Sequence, residues 1–158
     1  MAMPAKNKKI MRKVYLFLTA ALLLCSSSLW ARPIARVGEA TFDTDDYEGN
    51  ESKAFEAALN AWVDGTTLQL LDNCVYEAAS YYDVLPEGTS GSKTLDLNSK
   101  KLTWTTASGT TSIYPNDGQT LNIVDNSGTN DGELFFSSEY GVLTWGESAI
   151  LNISNCKV

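Results

Sequence analysis

Four short segments of one pattern recur along the chain after residue 65, and this recurrence limits the fold more than any other feature. Each segment alternates apolar and polar residues, and their leading leucines are 27, 26 and 30 residues apart: Leu68, Leu95, Leu121 and Leu151. A period of this length is typical of repeat proteins, in which each repeat covers its apolar face by stacking on its neighbours. Independent strands of a sandwich have no reason to keep such a spacing.

Each period has room for further strands between these segments. Short apolar alternations supply them at residues 102–104, 112–114, 134–136 and 143–145. We therefore expect three short strands per repeat, with Trp104 and Trp145 pointing inward. Stacking the leucines places Asp96 between Gln69 and Asn122. Short polar residues suited to sharp bends follow each leading leucine by four positions: Asp72, Ser99, Asp125 and Asn155.

One amphipathic helix is predicted ahead of the repeats. Apolar residues recur at helical spacing from Ala54 to Trp62, Asn50 is a suitable N-cap, and Gly65 closes the segment. We place this helix at residues 51–63. After Gly65, no window of the chain shows a sustained helical period, so the remainder is predicted to form strands.

Several parts of the chain resemble right-handed parallel β-helix surface proteins of bacteria, which belong to the pectate-lyase-like superfamily. These parts are the helix and residues 64–72, 93–103 and 118–128. The resemblance covers residues 37–158. It implies an all-β fold, a right-handed parallel β-helix (solenoid) of three to four coils whose N-terminal α-helix caps the first coil. Ser99 departs from the family pattern, which often has glycine there, and implies a looser turn. Because the chain stops directly after a core strand, we expect a truncated member whose open end exposes Leu151 and Ile153 and self-associates.

Residues 1–31 have the layout of a secretory signal peptide. Basic residues precede an apolar run at residues 14–25, which is too short to cross a bilayer, and small residues follow it. We expect cleavage after Ser28 or Ala31; an uncleaved anchor and lipidation at Cys25 are the alternatives. The chain then divides into a signal peptide (1–31), an acidic entry segment (32–50) and the helix with its coils (51–158). The expected location is secreted or cell-surface.

The charge of the chain excludes some partners. Without residues 1–31, five of the twelve basic residues are lost and the net charge falls from −7 to −12. Nucleic acid and anionic membrane surfaces are therefore poor partners, and membrane contact is expected only through the signal segment.

Catalytic residues are not predicted. The resemblance implies that a lyase would need a basic residue beside a uronate, but the coils carry no histidine and only three bases, Lys93, Lys100 and Lys101, expected as solvated turn residues. Asp72 and Asp125 would lie about 10 Å apart, a separation that suits the two carboxylates of an inverting hydrolase. Their simpler explanation is that both residues form turns. We expect the chain to have no enzymatic activity and to need no cofactor. It should act as a structural or adhesive module that contacts a glycan or another surface protein. The alternative is an N-terminal fragment of a polysaccharide lyase or glycoside hydrolase whose catalytic coils are missing.

Two groups of residues are candidates for binding. Alternate oxygens in the acidic entry segment could face one calcium ion, at Asp43, Asp45, Asp46 and Glu48, with a solvated loop as the alternative. Tyr81 and Tyr82 lie in the loop between Ala78 and Pro86 and are the candidates for exposed stacking on a glycan. Cys74 and Cys156 would be three coils apart, about 14 Å, which is too far for a disulfide.

Overall fold

The computed structural model of the chain describes residues 31–106, 112–137 and 141–158; the predicted signal segment lies almost wholly outside these ranges. Residues Arg32–Val158 form one unit. A 3-10 helix at Thr44–Tyr47 precedes helix α1 at Glu51–Ala61. The strands are β1 (Pro33–Val37), β2 (Ala40–Asp43), β3 (Thr67–Leu70), β4 (Cys74–Ala78), β5 (Tyr82–Asp83), β6 (Gly91–Asp96), β7 (Lys101–Thr106), β8 (Ile113–Tyr114), β9 (Gln119–Val124), β10 (Glu133–Phe136) and β11 (Ile150–Ser154).

These strands form three sheets. The largest has six strands in the order β11-β9-β6-β3-β1-β2, the second has the order β10-β7-β4, and the third pairs β5 with β8. Strands β3, β6, β9 and β11 pair in parallel, as do β4, β7 and β10. Strand β1 runs antiparallel to both β2 and β3, so the six-stranded sheet is mixed.

The predicted fold class, an all-β right-handed parallel β-helix, is wrong. The described residues form mixed sheets with one α-helix, and their three sheets do not close into a solenoid. The antiparallel hairpin of β1 and β2 is the element that the prediction lacked. It covers the edge of β3 with backbone pairing, where the prediction expected the helix alone to cover the first repeat.

The predicted helix is confirmed. Helix α1 begins where the Asn50 side chain accepts a hydrogen bond from the Lys53 N–H at 3.0 Å, which is an N-cap. Its buried residues, Ala54, Phe55, Ala58 and Leu59, lie at helical spacing. They pack the helix against β1 and β4. None of the helices in the described ranges is long and apolar enough to span a membrane.

Two of the three repeat-to-repeat registers follow the leucine spacing, and the third does not. Leu68 pairs with Leu95, and Leu121 pairs with Leu151. Between β6 and β9, however, Leu95 pairs with Ile123, which shifts the register by two residues. Asp96 therefore has Gln69 on one side as predicted, but Val124 on the other side.

Buried carboxylates explain the shifted register. The Asp125 Oδ1 accepts a hydrogen bond from the Ser99 N–H at 3.0 Å, and the Asp96 Oδ1 accepts one from the Asn126 N–H at 3.1 Å. Asp125 and Asp96 are 1% and 3% exposed, so losing either of these donors would weaken the hydrogen bonding of a buried charge. Ser99 adopts a φ of 58° in this turn, so the turn stays tight without glycine.

The expectation that Lys93 is a solvated turn residue is wrong, because this residue is buried. The shift places Lys93 opposite Leu121, facing the core, and the residue is 6% exposed. Its ammonium lies over the rings of Trp62 and Tyr82. Lys101 does lie at the surface, where it forms an ion pair with Glu133 at 2.7 Å.

The two tryptophans predicted to point inward have different environments. Trp104 is fully buried and packs edge-on against Tyr76, with ring centroids 4.8 Å apart. Trp145 is 70% exposed, because residues 143–145 do not form the predicted strand. Val142, just before these residues, makes an isolated parallel bridge to Ile113.

Cys74 and Cys156 are both free thiols. Burial raises the pKa of Cys74 to about 12, with nearby Glu51 adding to the effect. Such a thiol is a weak nucleophile at neutral pH, so Cys74 serves packing rather than chemistry.

Candidate functional site

A cleft of about 540 Å³ lies beside the two-stranded sheet and is lined by residues from three separate segments of the chain. Residues before and within β5 contribute Tyr81 and Asp83, the β8 region contributes Tyr114, and the segment after Val142 contributes Trp145. Parallel pairing of Tyr82 with Ile113 and of Asp83 with Tyr114 brings the first two segments together.

Aromatic rings form one side of this cleft. Tyr81 and Tyr114 meet edge-to-face with ring centroids 6.4 Å apart, and Tyr81 is 48% exposed. Trp145 is held beside them by its backbone, whose N–H donates to the Pro115 carbonyl at 3.0 Å. The Leu143 N–H likewise donates to the Ile113 carbonyl at 3.3 Å. Exposed rings on anchored backbone offer flat apolar surfaces for a ligand.

Asp83 is oriented by donors from the neighbouring strand and the residues that follow it. The Asn116 Nδ2 donates to the Asp83 Oδ1 at 3.2 Å. The Tyr114 hydroxyl also donates to the Asp83 carboxylate, and this hydrogen bond, followed by burial, raises the pKa of Tyr114 to about 12. Two donors leave the carboxylate with further lone pairs for a ligand.

Glu87, the second acid of the cleft, is exposed on a loop that a buried glutamine fixes in place. The Gln119 Nε2 donates to the carbonyls of Leu85, Pro86 and Thr89 at 2.9–3.2 Å. Its Oε1 accepts from the Asn116 N–H at 3.0 Å, which ties the loop to the segment that orients Asp83. One connected hydrogen-bond network therefore holds the Asp83 carboxylate and the backbone of the loop that carries Glu87.

Ser112 lines the cleft and carries the one unsatisfied buried polar side-chain atom found in the described parts of the chain. The residue is 0% exposed, while its hydroxyl has no hydrogen-bond partner there. A buried hydroxyl without a partner is costly.

The two predicted glycan-contacting tyrosines separate in the structure. Tyr81 is exposed in the cleft, whereas Tyr82 turns inward. The Tyr82 ring stacks on Trp62 and its hydroxyl donates to the Leu59 carbonyl at 3.0 Å. Burial, with a smaller contribution from the neighbouring Tyr76, raises the pKa of the partly buried Tyr82. Tyr81 remains the candidate for ligand contact.

The predicted calcium ligands are not brought together. Asp43 precedes the 3-10 helix, Asp45 and Asp46 lie in its first turn, and Glu48 follows it in the left-handed region at φ 56°. Over residues 31–106, 112–137 and 141–158, no group of three acidic or cysteine side chains could hold a metal ion.

The two aspartates considered as a hydrolase pair, Asp72 and Asp125, have different partners. Asp72 forms an ion pair with Arg32 at 3.3 Å, while the buried Asp125 accepts hydrogen bonds from the N–H groups of Ser99, Ser127 and Gly132. Both carboxylates are thus engaged in holding backbone and neighbouring side chains.

Sequence reasoning missed most of the cleft. Trp145 was assigned to the core, and four polar lining residues carried no local signal: Asp83, Glu87, Ser112 and Asn116. The signal that could have found them is the pairing of residues 82–83 with residues 113–114, since it predicts which segments meet.

Comparison with protein-family models, curated proteins and solved structures found no match to this chain. None of these comparisons therefore identifies the pectate-lyase-like superfamily that the repeats resemble.

Proposed function

We propose that the chain is an exported, non-enzymatic module that binds a glycan in the cleft beside β5 and β8, in a structural or adhesive role at the cell surface. One observation carries this proposal: three aromatic side chains and a set of oriented polar groups line the same cleft. The aromatic residues are Tyr81, Tyr114 and Trp145. The proposed location rests on the signal-like composition of residues 1–31.

The lining chemistry suits a saccharide. Sugar rings present C–H faces that pack on aromatic rings, and hydroxyl groups that need hydrogen-bond partners. The cleft offers both, with Trp145 70% exposed for stacking and with Asp83 and Asn116 held in place for hydrogen bonding. A mostly apolar cleft with a few convergent polar groups is the usual form of a small-ligand site.

A glycan array with purified wild-type protein and a Trp145→Ala variant tests this proposal. We expect binding to a limited set of saccharides, reduced about tenfold or more in the variant, in line with the stacking energy of one aromatic residue. Phe135→Ala is the matched control, because Phe135 is 48% exposed but lies outside the cleft. Equal losses in both variants, or no saccharide bound by the wild type, would refute the proposal.

A further inference from the structure

The charges of the cleft are all of one sign. Its described lining contains Asp83 and Glu87 and neither lysine nor arginine. The sequence reinforces this, since no lysine or arginine occurs at residues 73–92 or 102–156. A basic residue near in sequence, Lys93, is buried in the core beneath Trp62 and Tyr82.

We propose that the cleft selects saccharides that carry protonated amino groups, such as glucosamine oligomers, over N-acetylated and uronate saccharides; this inference rests on the proposed function. An ammonium beside two carboxylates gains Coulomb attraction, whereas a uronate in the same place meets repulsion. The neutral N-acetyl form experiences neither this attraction nor this repulsion.

The geometry supports an ammonium in three ways. Within the described residues, Asp83 accepts hydrogen bonds from Tyr114 and Asn116, and its carboxylate has further lone pairs for an N–H donor. Exposed rings of Tyr81 and Trp145 attract a cation over their faces. Glu87 lies on a loop whose backbone is anchored by Gln119, so its negative charge stays beside the cleft.

The exposed aromatic rings favour a sugar over a lysine-rich peptide as the source of the ammonium. Tyr81 and Trp145 are 48% and 70% exposed, and the C–H face of a sugar ring can pack flat on such rings. A lysine side chain offers only a narrow methylene chain to the same rings, so it gains less from them.

Calorimetric titration of the purified chain with four probes tests the inference: a glucosamine hexamer, an N-acetylglucosamine hexamer, a galacturonate hexamer and pentalysine. We expect the glucosamine hexamer to bind at least tenfold more tightly than the other three. This preference should weaken with added salt and disappear above the pKa of the sugar amine. Glu87→Gln should lower the affinity for the glucosamine hexamer roughly fivefold, while Glu77→Gln, an equal charge change outside the cleft, should not.

The outcomes separate this inference from the proposed function. Equal or tighter binding of the neutral or uronate hexamer, still lost in Trp145→Ala, would overturn the amine preference and leave glycan binding intact. Tighter binding of pentalysine would overturn it in favour of a basic peptide. No binding of any saccharide would remove the proposed function and the inference together.

Discussion

The ammonium nitrogen of Lys93 lies 5.1 Å from the centroid of the Trp62 ring, inside the core rather than at the surface. This ammonium donates a hydrogen bond to the Tyr82 hydroxyl at 3.5 Å. Burial lowers the pKa of Lys93, and the nearby Asp64 carboxylate offsets this in part. The ring faces thus stabilise a cation that burial disfavours.

Lys93→Met should therefore be tolerated. Methionine has a similar length and carries no charge to desolvate, so we expect equal stability at pH 7, or a gain of up to about 1 kcal/mol. Lys93→Ala should instead lose about 2 kcal/mol, because it leaves a cavity against Trp62. Urea unfolding measures both. A loss of more than about 1 kcal/mol in Lys93→Met would show that the ammonium itself stabilises the core.

Asp125 should determine the acid stability of the fold. Burial raises the pKa of Asp125, but the hydrogen bonds that its carboxylate accepts from Ser127, Gly132 and Ser99 outweigh burial and lower the pKa to about 2. Because the folded-state pKa is depressed, the stabilisation is complete above the unfolded value of about 4 and is lost as the pH falls toward 2.

The expected size is about 2 kcal/mol over that window. Urea unfolding at several pH values should give a shallower acid dependence for Asp125→Asn than for the wild type. Asp131→Asn, an exposed aspartate in the same turn region, should keep the wild-type slope. An unchanged slope in Asp125→Asn would contradict the assigned pKa.

The register between β6 and β9 can be tested by cross-linking. Thr94 pairs with Asn122, so cysteines at these two positions should be about 5 Å apart and oxidise readily. The leucine spacing would instead pair Thr94 with Thr120, which the structure offsets by two residues to about 8 Å. In a background with the native cysteines replaced by alanine, faster oxidation of Thr94→Cys/Thr120→Cys than of Thr94→Cys/Asn122→Cys would contradict this register.

Local sequence signals predicted the elements better than their pairing. The N-cap at Asn50 and the apolar spacing of the helix are local signals. The predicted helix therefore begins at the observed residue and ends within two residues of the observed end. The leucine pattern found β3, β6, β9 and β11, but not the shift between β6 and β9. That shift depends on Asp96 and Asp125 finding backbone donors across strands, which no local pattern reveals.

The cleft illustrates the same limit. Tyr81 was recognised from its loop context alone, whereas Trp145 was assigned inward by alternation with Leu143. Alternation predicts burial only where a strand forms, and residues 143–145 do not form one. The antiparallel β1 and β2 hairpin was missed because its strands are only five and four residues long and lie outside the leucine repeat.

Self-association should occur through β11. This strand is the edge of the six-stranded sheet, and it exposes Ile150 and Ile153 by 51% and 45%. Light scattering of the wild type should show association at high concentration, and Ile153→Lys should reduce it. Val63→Lys, at a residue 59% exposed outside this edge, should not. A wild type that stays monomeric would count against an adhesive edge.

Tryptophan quenching tests glycan binding in the cleft most directly. Trp62 and Trp104 are 2% and 0% exposed, whereas Trp145 is 70% exposed, so acrylamide should quench Trp145 selectively once Trp30 is replaced by phenylalanine. Adding the tightest-binding saccharide from the array should protect Trp145 and lower the quenching constant severalfold, and Trp145→Phe should remove this ligand-dependent change. Quenching that stays the same at saturating saccharide would contradict a ligand stacked on Trp145, and with it the proposed site.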